Sequence, residues 1–193
     1  PCFFGSLRPG AANFLEVEPM YAQGWIGMPV EQIPTPALVV DVEKLDRNLA
    51  TMADYLARVK TNIRPHAKTH KTPAIGHKQM RTGAIGLCCA TVGEAEVMVY
   101  SGIPEVMIAN EIVDPLSVRR AVNLARQARV LMIVDDPENV RNIGAAARQY
   151  GAVVDMLVDL DVGQGRCGAR SLEALVELAR EVERTKGLRL RGV

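Results

Sequence analysis

What most limits the folds open to this chain is a regular alternation between short apolar runs and stretches of helical period. From about residue 62 the centres of successive runs fall about 21 to 25 residues apart, with a last gap about ten longer. The pattern predicts strands at 62–66, 84–88, 105–109, 130–134, 153–159 and from 188 onward. It predicts helices at 43–58, 73–81, 92–100, 115–127, 137–150 and 171–184. An earlier run, ALVVD at 37–41, reads as a buried strand, and the helix after it places Leu45, Leu49, Met52 and Leu56 on one face. Such a rhythm is that of repeated βα units with short connections.

Runs such as VLMIV and VDMLV are continuous rather than alternating, as in a parallel sheet covered by helices. Pro115 and Pro137 stand where first-turn prolines belong, behind Asp114 and Asp136, each placed to cap a helix. Two α/β architectures fit: a barrel of βα units and an open doubly wound sheet. No G-x-G-x-x-G follows the first strand, which counts against a dinucleotide-binding fold. A closed barrel takes about 250 residues. This chain has 193, so the expectation is a partial (β/α)8 TIM barrel, truncated before closure.

Residues 1–33 carry recurrent Gly and Pro with no sustained period and read as an N-terminal extension, leaving 34–193 as an incomplete barrel domain. Pro1 stands at the start, and a strand begun at Leu188 has no closing element before Val193, so both ends look cut.

Composition narrows the function classes. With 23 Lys+Arg against 22 Asp+Glu the net charge is +1, which excludes a basic nucleic-acid platform. The cysteines, Cys2, Cys88, Cys89 and Cys167, match neither a zinc pattern nor a disulfide framework. No apolar run reaches the roughly 18 residues of a membrane span, and the head of the chain lacks the order of a secretory signal. A cytoplasmic protein with no membrane or nucleic-acid partner is expected.

Two polar clusters stand at predicted strand ends, the edge where parallel α/β proteins bind ligands. The first is Arg64-Pro65-His66-Ala67-Lys68-Thr69-His70-Lys71. A lysine among such neighbours suits a Schiff-base nucleophile, and the same charges suit a phosphate; a basic surface turn is the plain alternative. His66 and His70 are four apart, but Pro65 and the strand-end setting argue against a shared metal-binding face. His77 reads as a surface residue. The second cluster is Asp159-Leu160-Asp161-Val162-Gly163-Gln164-Gly165-Arg166-Cys167-Gly168, where glycines imply a tight turn or close approach to a ligand and Arg166 projects into the same edge as Lys68. Thr91 is placed to cap the next helix with Glu94 as its capping-box partner. Cys88 and Cys89 read as packing residues, while Asn110-Glu111 and Asp135-Asp136 are caps or turns first and binding residues second. Arg119, Arg120 and Arg170 read as solvated.

TPALVVD, RPHAKTHK, GLCCATVGEAE, IANEIVDP and VDLDVGQGRCG occur in this order from about Thr35 to Gly192, and together they resemble the D-threonine aldolase family. These are pyridoxal 5'-phosphate enzymes with an alanine-racemase-like barrel, related to D-serine dehydratase and D-3-hydroxyaspartate aldolase. The resemblance implies that Lys68 is the catalytic lysine, holding the coenzyme as an internal aldimine, and that Arg166 faces the pyridine nitrogen. It implies that His66, and with them Thr91 and Asn110, line the cofactor site. It also implies retro-aldol cleavage of D-threonine or a related D-β-hydroxy-α-amino acid to glycine and an aldehyde. A manganese or magnesium ion is expected in the full-length enzyme through ligands of a C-terminal β domain that this chain lacks, so no metal ligand is expected here; a homodimer is expected for the full-length parent. Alternatives that stay open are a dehydratase-like or racemase-like enzyme, a non-enzymatic coenzyme-binding protein and an inactive truncated fragment.

Overall fold

The computed structural model describes residues 25–193. Most of the predicted extension, and Cys2, lie outside the described residues. The chain divides into two units, Pro1–Leu45 and Asp46–Val193.

In the first unit the described part holds a short 3-10 turn at Val30–Gln32. The strand expected at 37–41 does not form: the segment is irregular and Leu38 is fully exposed. An apolar run becomes a strand where a neighbouring edge supplies ladder bonds and a face to pack on, and among the described residues this run has no ladder partner. Its last residue serves another purpose. Asp41 Oδ1 accepts the Lys44 N–H at 3.0 Å, starting helix α1 (Val42–Val59).

The second unit is built on five parallel strands, β1 (Leu87–Cys89), β2 (Glu105–Ile108), β3 (Arg129–Val134), β4 (Val154–Val158) and β5 (Leu188–Gly192). Their spatial order is β1-β2-β3-β4-β5, the same as their order in the chain. That order decides between the two architectures. A doubly wound sheet reverses direction at a switch point, whereas successive right-handed crossovers that always step the same way put every helix on one face, as in a barrel. The sheet is an arc of a TIM barrel.

The covering helices are α2 (Pro73–Arg81), α3 (Val92–Tyr100), α4 (Pro115–Leu124), α5 (Pro137–Tyr150) and α6 (Leu172–Arg184). Val106, Ile108, Val130, Met132, Val154 and Met156 are buried in one apolar cluster with Ala121, Val122, Ile143, Ala147, Leu178 and Val182 of the helices. Fully burying a Val, Leu, Ile or Met side chain stabilises by about 1.5–3 kcal/mol. Asp114 and Asp136 cap α4 and α5 as expected: Asp114 Oδ1 accepts Ser117 N–H at 2.8 Å, and Asp136 Oδ1 accepts Glu138 N–H at 2.8 Å and Asn139 N–H at 3.1 Å.

The expected strand at 62–66 is only an extended edge. Ile85 N–H donates to Ile63 O at 3.0 Å, Cys88 N–H donates to Pro65 O at 2.9 Å, and His66 bridges Cys88. Pro65 has no N–H, so a continuous ladder cannot run through it. Residues on the sheet face opposite the helices alternate with the core residues. At the N-terminal end of that face runs a charged row. Arg64 pairs with Glu105, Glu105 with Arg129, Arg129 with Asp155, and Asp155 with Arg189.

Candidate functional site

The first cluster from His66 onward, and the second cluster, stand at the C-terminal end of the strands, whereas Arg64, expected beside Lys68, joins the charged row at the opposite end through Glu105. Lys68 occupies a one-turn 3-10 helix, Ala67–Thr69. His66 precedes it in extended conformation, and its Nδ1 accepts the Lys68 N–H at 3.3 Å. In the neutral ring the proton is therefore on Nε2. Burial, then the charge of Lys68, holds the His66 imidazole below its ordinary value, so the neutral form dominates at pH 7. His70 repeats the arrangement: its Nδ1 accepts Thr72 N–H at 3.0 Å, and its Nε2 is buried with no hydrogen-bond partner among the described residues.

The turn is fastened from the helix that follows β1. Lys71 has a positive φ of 50°, its N–H donates to Ala67 O at 2.7 Å, and its Nζ pairs with Glu94. Glu94 Oε2 also accepts Ala90 N–H at 2.8 Å. Thr91 caps α3 as expected, accepting Glu94 N–H at 3.2 Å, but the Glu94 carboxylate reaches back one residue further than a capping box would. His77 is not a free surface residue: its Nε2 lies 2.8 Å from Ser101 O. Arg120 and Arg170, expected as solvated, are paired with Glu96 and Asp161 at the surface.

The loop after β4 carries Arg166. Asp161 Oδ1 accepts Gly163 N–H at 3.0 Å and Gly165 N–H at 2.9 Å, while Asp135 Oδ2 on the neighbouring strand end accepts Gly168 N–H at 3.0 Å. Gly168 has φ +98°, and a Cβ there would lie 2.4 Å from Asp161 N, so the loop closes only with glycine at this position. Arg166 is exposed and lies against Cys167. Beneath it a cavity of about 200 Å³ is lined by Ala109, Glu111, Ile133, Asp159 and Cys167. Burial, then Glu111 and Asp135, push the Asp159 carboxyl up. A hydrogen bond with Glu111 raises the Cys167 thiol. The Oε1 atom of Glu111 is buried with no hydrogen-bond partner within ordinary distance among the described residues, and the ligand atoms of Glu111, Asp135 and Cys167 lie within 4.8 Å of one another. Glu111, Asp135 and Asp159 read in the sequence as separate strand-end residues, and the fold brings them together beside this cavity. The signal was there: each stands at or just past the end of one of three neighbouring strands.

Cys88 and Cys89 are buried, as expected of packing residues. Burial raises the Cys88 thiol, and burial with Cys88 alongside pushes Cys89 up to about 12, so neither is a ready nucleophile. Asn110 follows β2 on the same rim and is exposed. A larger cavity of about 590 Å³, lined by Leu49, Met52, Leu56, Ile63 and Pro65, also reaches Gly83 and Ala84, before β1 and so away from the strand ends that carry Lys68 and Arg166.

The family of the alanine racemase N-terminal domain matches residues 40–193. The chain belongs to that family. It is 38% identical over 167 residues to a D-threonine aldolase of Arthrobacter, covering 86% of this chain and 44% of the relative. It is 35% identical over 169 residues to a 3-hydroxy-D-aspartate aldolase of Paracoccus denitrificans, covering 86% and 44%. The crystal structure of D-threonine aldolase from Filomicrobium marinum superposes with a TM-score of 0.82 at 43% identity, covering 83% of this chain and 44% of that one. The expected resemblance and barrel fold are therefore borne out. The chain spans less than half the length of these relatives.

Proposed function

We propose that this chain supplies the coenzyme-anchoring part of a pyridoxal 5'-phosphate lyase that cleaves D-threonine or a related D-β-hydroxy-α-amino acid to glycine and an aldehyde. The observation that carries this reading is Lys68 on a braced turn at the C-terminal mouth of the sheet, with Arg166 presented from another loop on the same edge. The donor set fits an anionic aldehyde coenzyme. It offers one amine for the aldehyde carbon, a guanidinium for the ring nitrogen and imidazoles beside the amine, at the edge where such ligands bind.

Lys68 would hold the coenzyme and Arg166 would face its pyridine nitrogen. A guanidinium does not give up its proton, so Arg166 donates a hydrogen bond and leaves that nitrogen unprotonated. When bound, the coenzyme supplies the electron sink for the breaking Cα–Cβ bond. His66, neutral with its proton on Nε2, offers a hydrogen-bond donor beside Lys68. Thr91 and Asn110 supply polar groups from the neighbouring strand ends; the Thr91 hydroxyl, already accepting at the helix cap, retains its own proton to donate. A manganese or magnesium ion, a homodimer and a cytoplasmic location belong to the same reading, with the metal ligands outside this chain. A dehydratase is the second reading, favoured by 30% identity over 165 residues to the D-threo-3-hydroxyaspartate dehydratase of Delftia.

Borohydride reduction in the presence of pyridoxal 5'-phosphate, followed by peptide mass analysis, tests the anchor. The label is expected on Lys68 and absent after Lys68→Ala; a label on another lysine would overturn the assignment. Incubating the active full-length protein with D-threonine separates the reactions. Glycine with acetaldehyde supports the aldolase, and ammonia with a keto acid supports the dehydratase.

A further inference from the structure

Lys71 is a bulky, non-glycine residue in the left-handed region, three positions after the proposed anchor. Asn, Asp or Gly takes this conformation more readily, and a residue held there against its preference is a mark of a functional site. Two contacts hold it: its N–H closes on Ala67 O, and its ammonium pairs with Glu94, whose side chain is 10% exposed. Glu94 is in turn fixed by the Ala90 N–H and by its own N–H on the Thr91 cap. The Lys68 turn is thus tied through one ion pair to the N-terminus of α3, whose first residues are held by the core.

Resting on the reading of Lys68 as the coenzyme anchor, we propose that Lys71 and Glu94 form a positioning pair that clamps the Lys68 turn at the mouth of the sheet. Neither touches the reacting atoms. Glu94 shows why a carboxylate is needed: a single group must take an ammonium on one oxygen and a backbone N–H on the other. A neutral amide cannot replace both with the same charge. The clamp fixes where the Lys68 backbone begins and so narrows the positions its amine samples.

The test compares the wild-type chain with K71M, E94Q, the double variant K71M/E94Q and K71R, by borohydride trapping at limiting pyridoxal 5'-phosphate. Each single variant is expected to cut trapping at Lys68 about two- to fivefold at an unchanged melting temperature, the range for a pair whose lysine is exposed. The double variant is expected to lose no more than either single one, because both remove the same pair. K71R, which can still pair with Glu94, is expected to restore most of the trapping. Wild-type labelling at Lys68 with undiminished labelling in K71M and E94Q, or with additive losses, overturns the clamp and leaves the anchor standing. Absence of wild-type labelling at Lys68 fails the anchor instead. The clamp is then judged by amide hydrogen exchange at His70 and Lys71, whose N–H groups donate to Ala67 O. Faster exchange in K71M and E94Q but not in K71R supports it, and unchanged exchange overturns it.

Discussion

Arg189 on β5 donates from Nε to Asp155 Oδ1 on β4 at 2.6 Å, and the carboxylate it meets is 1% exposed. Asp155 also receives Arg129 Nε at 2.7 Å, so a nearly buried anion is shared between cations from the strands on either side. Together with Arg64 and Glu105 these groups place alternating charges across the N-terminal end of the sheet, where an uncharged row would pack without fixing register. Removing one partner of a buried pair leaves the other charged and unmatched.

Asp155→Ala is therefore expected to destabilise the fold by about 3 kcal/mol, toward the lower end for buried pairs because Arg129 and Arg189 remain partly solvated. Urea unfolding followed by circular dichroism checks this. A loss below about 0.5 kcal/mol would mean that the row is ornamental.

Acid should reveal the same residue. Burial works to raise the Asp155 carboxyl, but hydrogen bonds from Arg189 and Arg129 outweigh it and hold it below its ordinary 3.8. A carboxyl lowered in the folded state stabilises fully above its unfolded value and loses that contribution as pH falls through the folded one. The stability of the wild-type chain is expected to drop below about pH 4, and Asp155→Asn is expected to flatten that limb.

His66 gives a second pH signature of opposite origin. Its folded value lies below 6.5 because of burial, then the charge of Lys68. The unfolded chain binds this proton more readily, so His66 costs stability as pH falls from 6.5 toward the folded value and is neutral in effect above that window. In proton NMR its ring signals are expected to titrate below 6.5 and to move upward in Lys68→Met. A midpoint unmoved by Lys68→Met would show that the two groups do not sense each other.

Gly168→Ala is expected to open the Arg166 loop. The added methyl meets Asp161 N at 2.4 Å and the Leu160 carbonyl carbon at 2.7 Å, both backbone atoms, at φ +98°. Backbone cannot step aside as a flexible side chain can, so a loss of about 1–3 kcal/mol and faster proteolytic cutting within 161–168 are expected. An unaltered cleavage rate would show that the loop tolerates another closure.

Thiol labelling reads the core directly. Cys88 and Cys89 are expected to stay unmodified by iodoacetamide in the folded chain at pH 8, because both are buried and their thiols are raised, Cys89 to about 12. Half-exposed Cys167 is expected to react ahead of them despite its raised thiol. Prompt modification of Cys88 would mean that the edge formed by 62–66 opens.

Much was legible in the amino-acid order. The helices and strands from residue 73 onward follow from local periodicity, and the caps at Asp114 and Asp136 follow from side chains that bond to nearby backbone. Lys68 and Arg166 were visible because their clusters lie at strand ends, and a strand end is a local property. ALVVD misled because its composition is that of a strand, while a strand also needs a neighbouring edge to bond to, which local composition does not report. His77 misled in the same way, since Ser101 O lies 24 residues distant in the chain.

The sequence by itself determined a βα repeat, its helix caps and the polar clusters at its strand ends, all of which depend on contacts a few residues long. Tertiary structure alone decided that the strands run in one sequential arc, that Glu105, Arg129, Asp155 and Arg189 form a single charged row, and that Glu94 reaches Lys71. These pairings span 23 to 34 residues, and which partner a charged side chain meets at that range is set by the register of the strands and the packing of the helices, not by its own neighbours in the chain.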